Sequence, residues 1–177
     1  MQPLVDPEIS PEVLRTRLKA EGLLAFAFRR PAEISRLAFL LASLCPQPQT
    51  AVVGLLELMA NAVEHGVLGI GYHTKLHLRR SLSLEDEIER LLGLPENLER
   101  QAEVVVELKG DRLWFTVSDP GEGFDWKPFE SFSPERAAEP SGRGIALARC
   151  MGFDRIEYQG VGNRVQAVIS APGQLQE

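Results

Sequence analysis

The sequence predicts an α+β fold, a two-layer arrangement in which helices cover one face of a mixed, mostly antiparallel sheet. Three observations carry that expectation. Helical and strand patterns come in clumps instead of alternating strictly, so repeated βαβ units are not the building block. Two β-rich runs, 103–108 and 112–118, are separated only by Lys109-Gly110-Asp111, a hairpin signal. A second pair, 153–158 and 164–170, flanks the turn residues Gly160, Gly162 and Asn163 and closes the chain as another hairpin.

The 177 residues suffice for one domain with a real core. Residues 1–22 read as an arm and a short helix: Ser10-Pro11 supplies an N-cap and a proline at the first helical position, and Gly22 stops the helix. Residues 23–29 read as a strand. Pro31 opens a helix to about residue 45, ended by Pro46 and Pro48, and a second long helix covers 49–65 with Gly66 placed to terminate it. An insert, 66–102, follows. It holds a glycine-rich turn (Gly66, Gly69, Gly71) and helical segments between 72 and 92, the later one capped by Ser83. After the first hairpin comes a long Gly/Pro/Ser-containing loop over 119–141, then a helix over 145–151, the second hairpin, and a loose tail at 173–177.

Composition narrows the function. Hydrophobic residues make up 44% and charged residues 25%, the balance of a globular protein. A net charge of −6, with basic residues scattered apart from Arg29-Arg30 and Arg79-Arg80, argues against a nucleic-acid partner, which needs a concentrated basic patch. Cys45 and Cys150 lie in apolar helical stretches without a CxxC pair, and read as buried reduced thiols. The N-terminus carries Asp6, Glu8 and Glu12 and lacks the apolar core of a signal peptide; the apolar run 37–41 is too short for a bilayer. No membrane partner and a cytoplasmic location are the expectations.

The helix over 49–65 has an unusual face. At about 100° per residue, Thr50, Gly54, Glu57, Asn61, Glu64 and His65 fall in one arc, and almost every other position is apolar. A solvated stripe is the plain reading, but this one contains no Lys or Arg and includes Gly54, which weakens a helix. Glu57 and Asn61, spaced i, i+4, would point together into a cavity beside the helix, where a carboxylate and an amide oxygen suit a hard cation and an attacking hydroxyl or water.

Two glycine clusters add to it. Asp119-Pro120-Gly121-Glu122-Gly123-Phe124 follows directly on the strand 112–118. A carboxylate there can accept a hydrogen bond from an exocyclic amine, and the glycines allow backbone to approach a flat ring; a simple turn is the alternative. A calcium loop would need oxygen ligands where Gly121 and Gly123 stand, and neither GxxxxGK[ST] nor GxGxxG occurs. Ser141-Gly142-Arg143-Gly144 leads into the helix 145–151, a place where backbone N–H groups and the helix dipole suit an anionic phosphate, with Arg143 able to add a charge-assisted contact. A glycine-bearing helix start with a solvated arginine is the alternative.

In order, Glu57-Leu-Met-Ala-Asn61-Ala-Val-Glu-His65-Gly66, Asp119-Pro-Gly121-Glu-Gly123-Phe124 and Gly142-Arg-Gly144-Ile-Ala-Leu-Ala resemble the N-box and two glycine boxes of the GHKL ATPases, the superfamily of gyrase and the histidine kinases. The closing Gly162-Asn163-Arg164-Val165 is similar to the end of its anti-sigma-factor serine-kinase branch. The resemblance spans roughly 23–170 and implies a Bergerat-type α/β sandwich, a single ATP-binding unit over 23–172 with a lid over 124–141. It implies ATP and Mg²⁺ as cofactors. By position, Glu57 would be the general base, Asn61 would hold Mg²⁺, Asp119 would bind the adenine amine, Gly121 and Gly123 would pack near the base, and Gly142, Arg143 and Gly144 would line the phosphates. The implied activity is ATP-dependent phosphorylation of a serine on an anti-sigma-factor antagonist of STAS type, with a sigma factor as a further partner and a possible homodimer.

Two features depart from that pattern. The insert 66–102, with its acidic run Glu85, Asp86, Glu87 and Glu89, separates the N-box helix from the next strand. No helix with a phosphoacceptor histidine precedes the nucleotide unit, which disfavours a complete sensor kinase, and His65 reads as structural. The alternatives are a non-catalytic ATP-dependent binding module, or a kinase-like domain detached from a larger response-regulator or phosphatase protein.

Overall fold

The computed structural model describes residues 9–127, 148 and 151–176. Helix α1 (Pro11–Glu21) starts and stops on the expected signals: the Ser10 hydroxyl accepts the Val13 N–H at 3.3 Å, and Gly22, at φ 73°, returns its N–H to Leu18 O. Strand β1 (Leu23–Phe28) follows without a break. Helix α2 (Pro31–Ala42) is initiated by Glu33, whose carboxylate accepts the N–H groups of Arg29 at 2.8 Å and Arg30 at 3.0 Å. It ends before residue 45 because Leu44 and Cys45 close tighter turns onto Leu41 O and Ala42 O.

Helix α3 (Pro48–Asn61) packs along α2. Beyond Asn61 the chain widens into a π-helical turn, Ala62–Val67, so Gly66 lies inside that turn instead of ending the α-helix. The insert then forms α4 (Tyr72–Arg80), α5 (Leu84–Leu92) and a 3₁₀ turn at Pro95–Asn97. Ser83 occupies the N-cap position of α5, but its hydroxyl pairs with Ser81 Oγ at 2.7 Å and makes no capping hydrogen bond. One guanidinium ties the insert to the end of β1: Arg29 donates to the carbonyls of Leu92 (2.9 Å), Asn97 (3.1 Å) and Leu98 (2.7 Å).

Strands β2 (Ala102–Lys109), β3 (Arg112–Ser118), β4 (Arg155–Gln159) and β5 (Arg164–Ser170) complete a five-stranded sheet of order β1-β2-β3-β5-β4, antiparallel at every pairing. Register explains the layer. Phe26 opposes Val104, Val104 opposes Val117, Val117 opposes Val165 and Val165 opposes Tyr158, so one row of apolar side chains crosses the whole sheet. These residues join Leu37, Leu41, Leu55 and Met59 of the helices in a single core. Of the helix expected over 145–151, Ala148 and Met151 are described, and Ala148 is buried. The expected loose tail instead makes a helical turn, Gly173–Gln176, that buries Leu175. Among the described residues no single helix is long and apolar enough to cross a membrane.

Gly54, the odd member of the polar stripe, has a packing reason. A Cβ there would lie 2.6 Å from the Phe153 ring and 3.2 Å from Met151 O, and that ring is itself held edge-on against Phe115 at 5.9 Å. Gly54→Ala is therefore expected to destabilise the fold by about 1–3 kcal/mol from overpacking, exceeding the gain of about 1 kcal/mol in helix propensity. Urea midpoints of the two proteins check the sign.

Candidate functional site

α3 divides its polar stripe between two hollows. Asn61, with Leu58, Ala62 and His65, lines a cleft closed on its other side by Asp119 and Gly123 of the loop after β3 and by Asn163 of the β4–β5 turn. Glu57, with Leu56, Ala60, Val63 and Glu64, walls a separate hollow of about 600 Å³ between α2, α3 and the insert. Helical geometry accounts for the split. Positions 57 and 61 stand about 40° apart, on a ridge whose two flanks face different cavities. Asn61, Asp119 and Gly123 are thus brought together, Gly121 lies just behind them, and Glu57 looks the other way. Gly142, Arg143 and Gly144 lie outside the described residues, and the loop over 124–141 is described only to Lys127.

The loop after β3 is stitched to the last hairpin. Asp119 donates its N–H to Asn163 O at 3.1 Å, and the Asn163 side-chain amide donates to Gly121 O at 3.2 Å. Asp119 Oδ1 accepts the Gly121 N–H at 2.9 Å. A Cβ on Gly66 would fall on the Asp119 carboxyl, and one on Gly121 would lie 2.8 Å from both Asp119 Oδ1 and Gly66 Cα. Gly123, at φ 83°, has no room for a Cβ against the Val161 carbonyl, to which Phe124 donates at 3.0 Å. The glycines are required by the protein's own close packing, independently of any ligand.

Burial pushes the half-buried Asp119 carboxyl above the ordinary range, opposed by the Gly121 N–H and the Arg100 charge. Arg100 sits nearby because it donates to Gly66 O at 2.9 Å. Across the cleft, His65 Nδ1 is hydrogen-bonded to Ile70 O, so Nδ1 carries the hydrogen and Nε2 is left as an acceptor on the neutral ring. Burial holds that ring below the usual histidine pKa, reinforced by the Lys75 charge. His65, Phe124, Tyr158 and Trp126 form a row of ring contacts with successive centroid separations of 6.2, 5.7 and 5.6 Å.

Lys75 on α4 is the residue that sequence reasoning missed. Its ammonium lies 3.1 Å from Asn61 Oδ1 and 2.5 Å from Glu64 Oε2, and Lys75 and Glu64 are both buried. The side-chain oxygen expected to hold a metal ion is therefore already engaged. Among the described residues no group of three or more His, Cys, Asp or Glu is arranged to hold one either. Nothing in the local pattern of α4, a short and mostly polar helix, marks its lysine as inward-facing. Arg100 had an equally weak signal, and Asn163, read as a turn residue, gave no local sign that its amide reaches Gly121 O.

For a purine nucleotide the chemistry fits. A half-buried carboxyl can take an exocyclic amine, and glycine backbone and ring faces can take a flat base. The volume is small, about 30 Å³, against the several hundred Å³ typical of a ligand site, so a nucleotide must displace the rings of the wall. Because folding raises the Asp119 pKa, its contribution to stability is full below the unfolded-state pKa and is lost as pH rises through the folded-state value. The stability difference between wild type and Asp119→Asn should accordingly shift against the wild type over that interval. Urea titrations from pH 3.5 to 7 read it, and a difference independent of pH would contradict the assignment.

The family model for the histidine kinase-like ATPase domain matches residues 37–169, from within α2 to the last strand. No curated protein matches the chain. With the N-box asparagine and the aspartate of the first glycine box facing one another across the cleft, the chain belongs to the histidine kinase-like ATPase domain family, GHKL-type domains that bind ATP.

Proposed function

We propose that this protein is a cytoplasmic partner-switching regulator that phosphorylates a serine on an antagonist protein of anti-sigma-factor-antagonist, STAS-like type, and otherwise holds a sigma factor. The single observation behind the reading is the convergence of Asn61 and Asp119 on one cleft. Asp119 would accept the adenine amine there, beside Gly121 and Gly123. Gly142, Arg143 and Gly144 are assigned to the phosphates from their motif. Bound ATP supplies the phosphoryl group, and Mg²⁺, where present, neutralises its charge. Glu57 is assigned as general base, taking the proton of the serine hydroxyl as it attacks. Glu57 stands on the ridge one helical turn from Asn61, so transfer requires the serine to reach the nucleotide cleft across that ridge. A homodimer is part of the same reading.

A second reading, a non-catalytic ATP-dependent binding module, is favoured by one feature. The hollow around Glu57 is rimmed by Leu82, which is 91% exposed and holds φ 55°, a conformation that a bulky residue rarely adopts without a reason.

Phosphoryl transfer from labelled ATP to a purified antagonist separates the two. Under the kinase reading Glu57→Ala abolishes transfer and leaves ATP affinity within a few-fold of wild type. Asp119→Asn is expected to weaken ATP binding about tenfold or more, the worth of a hydrogen bond to a charged acceptor. ATP binding with partner capture and no transfer in the wild type would favour the module, and absence of ATP binding would remove both.

A further inference from the structure

We infer that Lys75 is a positioning residue for the nucleotide site: it fixes the Asn61 amide with its oxygen toward the insert and its NH₂ toward the cleft. Asn61 then meets phosphate oxygens as a hydrogen-bond donor, not a divalent cation as an oxygen ligand. The inference rests on the ATP-binding reading above and changes what that reading says about metal.

An ammonium group has three N–H donors and no acceptor, so the Asn61 atom 3.1 Å from Lys75 Nζ must be the amide oxygen. The two substituents of an amide point away from one another. With Oδ1 turned to α4, Nδ2 is the polar atom that Asn61, a wall residue of the cleft, has left to offer. Glu64 locks this arrangement. Its Oε2 lies 2.5 Å from the ammonium but accepts no aligned hydrogen bond, so it serves as a buried counter-charge while the directed bond of Lys75 goes to Asn61. The π-turn Ala62–Val67 holds Glu64 inward, and Arg100 on Gly66 O anchors the turn from behind. Beyond the atoms in contact with the ammonium the Lys75–Glu64 pair is neutral as a unit and adds little net field to attract phosphates; its effect falls on the Asn61 amide oxygen and on anything that would bind there. A divalent ion taking the remaining lone pair of Asn61 Oδ1 would sit beside the buried ammonium 3.1 Å from that oxygen, and like-charge repulsion disfavours it there.

The test is ATP affinity, by calorimetry, in excess Mg²⁺ and in EDTA. Wild type is expected to bind with constants within about threefold of one another. Removing Lys75 alone would strand the buried Glu64 carboxylate, so the informative variant is the pair Lys75→Met with Glu64→Leu, which replaces both charges by apolar side chains and frees Asn61 Oδ1. In it the affinity in Mg²⁺ should exceed that in EDTA by about tenfold or more, because the ammonium that repels an ion at Oδ1 is gone. A merely structural role of the pair would move both affinities alike and leave the ratio unchanged, and that result overturns the inference. Asn61→Ala provides a second arm that keeps both buried charges while removing the amide. It should weaken binding equally with and without Mg²⁺, whereas a loss confined to Mg²⁺ would overturn the inference and leave ATP binding standing. Failure of the wild type to bind ATP under either condition would overturn both readings at once.

Discussion

The architecture depends on one close approach, that of the Gly66 backbone to the Asp119 carboxyl. It joins the end of the N-box helix to the end of β3 at a separation no side chain would permit, and it requires Gly121 for the same reason. The π-turn is the geometric partner of this contact. Residues 62–67 spread into a wider coil, which holds Glu64 and Gly66 in the interior. A regular α-helix continuing past Asn61 would direct these positions differently, and the cleft between helix and sheet would lose its floor.

From that contact the rest of the site follows in layers. Asn163 bridges the Asp119 loop to the last hairpin, Val161 receives the Phe124 N–H, and Arg100 ties the 3₁₀ end of the insert to Gly66 O. Three stretches far apart in the chain are held together by hydrogen bonds to the backbone carbonyls of Gly66, Gly121 and Val161 and by the absence of Cβ atoms, with the aromatic row against the cleft. The backbone part of this scaffold is set by the protein's own packing, while the ring wall has to yield before a nucleotide fits the cleft of about 30 Å³.

Much of this was legible in the sequence because the signals were local. Ser10-Pro11 and Gly22 bracket α1 as their capping chemistry requires, and the period-2 runs around Lys109-Gly110-Asp111 gave a true hairpin. The order of Asn61, Asp119 and Gly123 announced a shared cleft because each belongs to a short contiguous motif. What sequence reasoning could not see was tertiary. Gly54 suggested a ligand-facing stripe, yet its small size serves the Phe153 ring. Glu57 and Asn61, one helical turn apart, were expected to share a cavity, and a ridge of the helix parts them. Lys75 sits in a short, mostly polar helix that gives it no inward-facing signal. Its partners lie 11 and 14 residues upstream, and only the fold of the insert brings it back onto them.

The insert thus belongs to the site: α4 contributes a buried charge to it, and Arg29 clamps its far end to β1. Its other face forms the second hollow, which α3 parts from the cleft assigned to the nucleotide. The most direct test of this division is an NMR titration of the amide-labelled protein with a non-hydrolysable ATP analogue. The account predicts that the amides of Gly66, Gly121, Gly123 and Asn163 shift together and saturably. Shifts confined to Ile34, Leu84 and Ile88 around the second hollow, with those four amides unmoved, would contradict it.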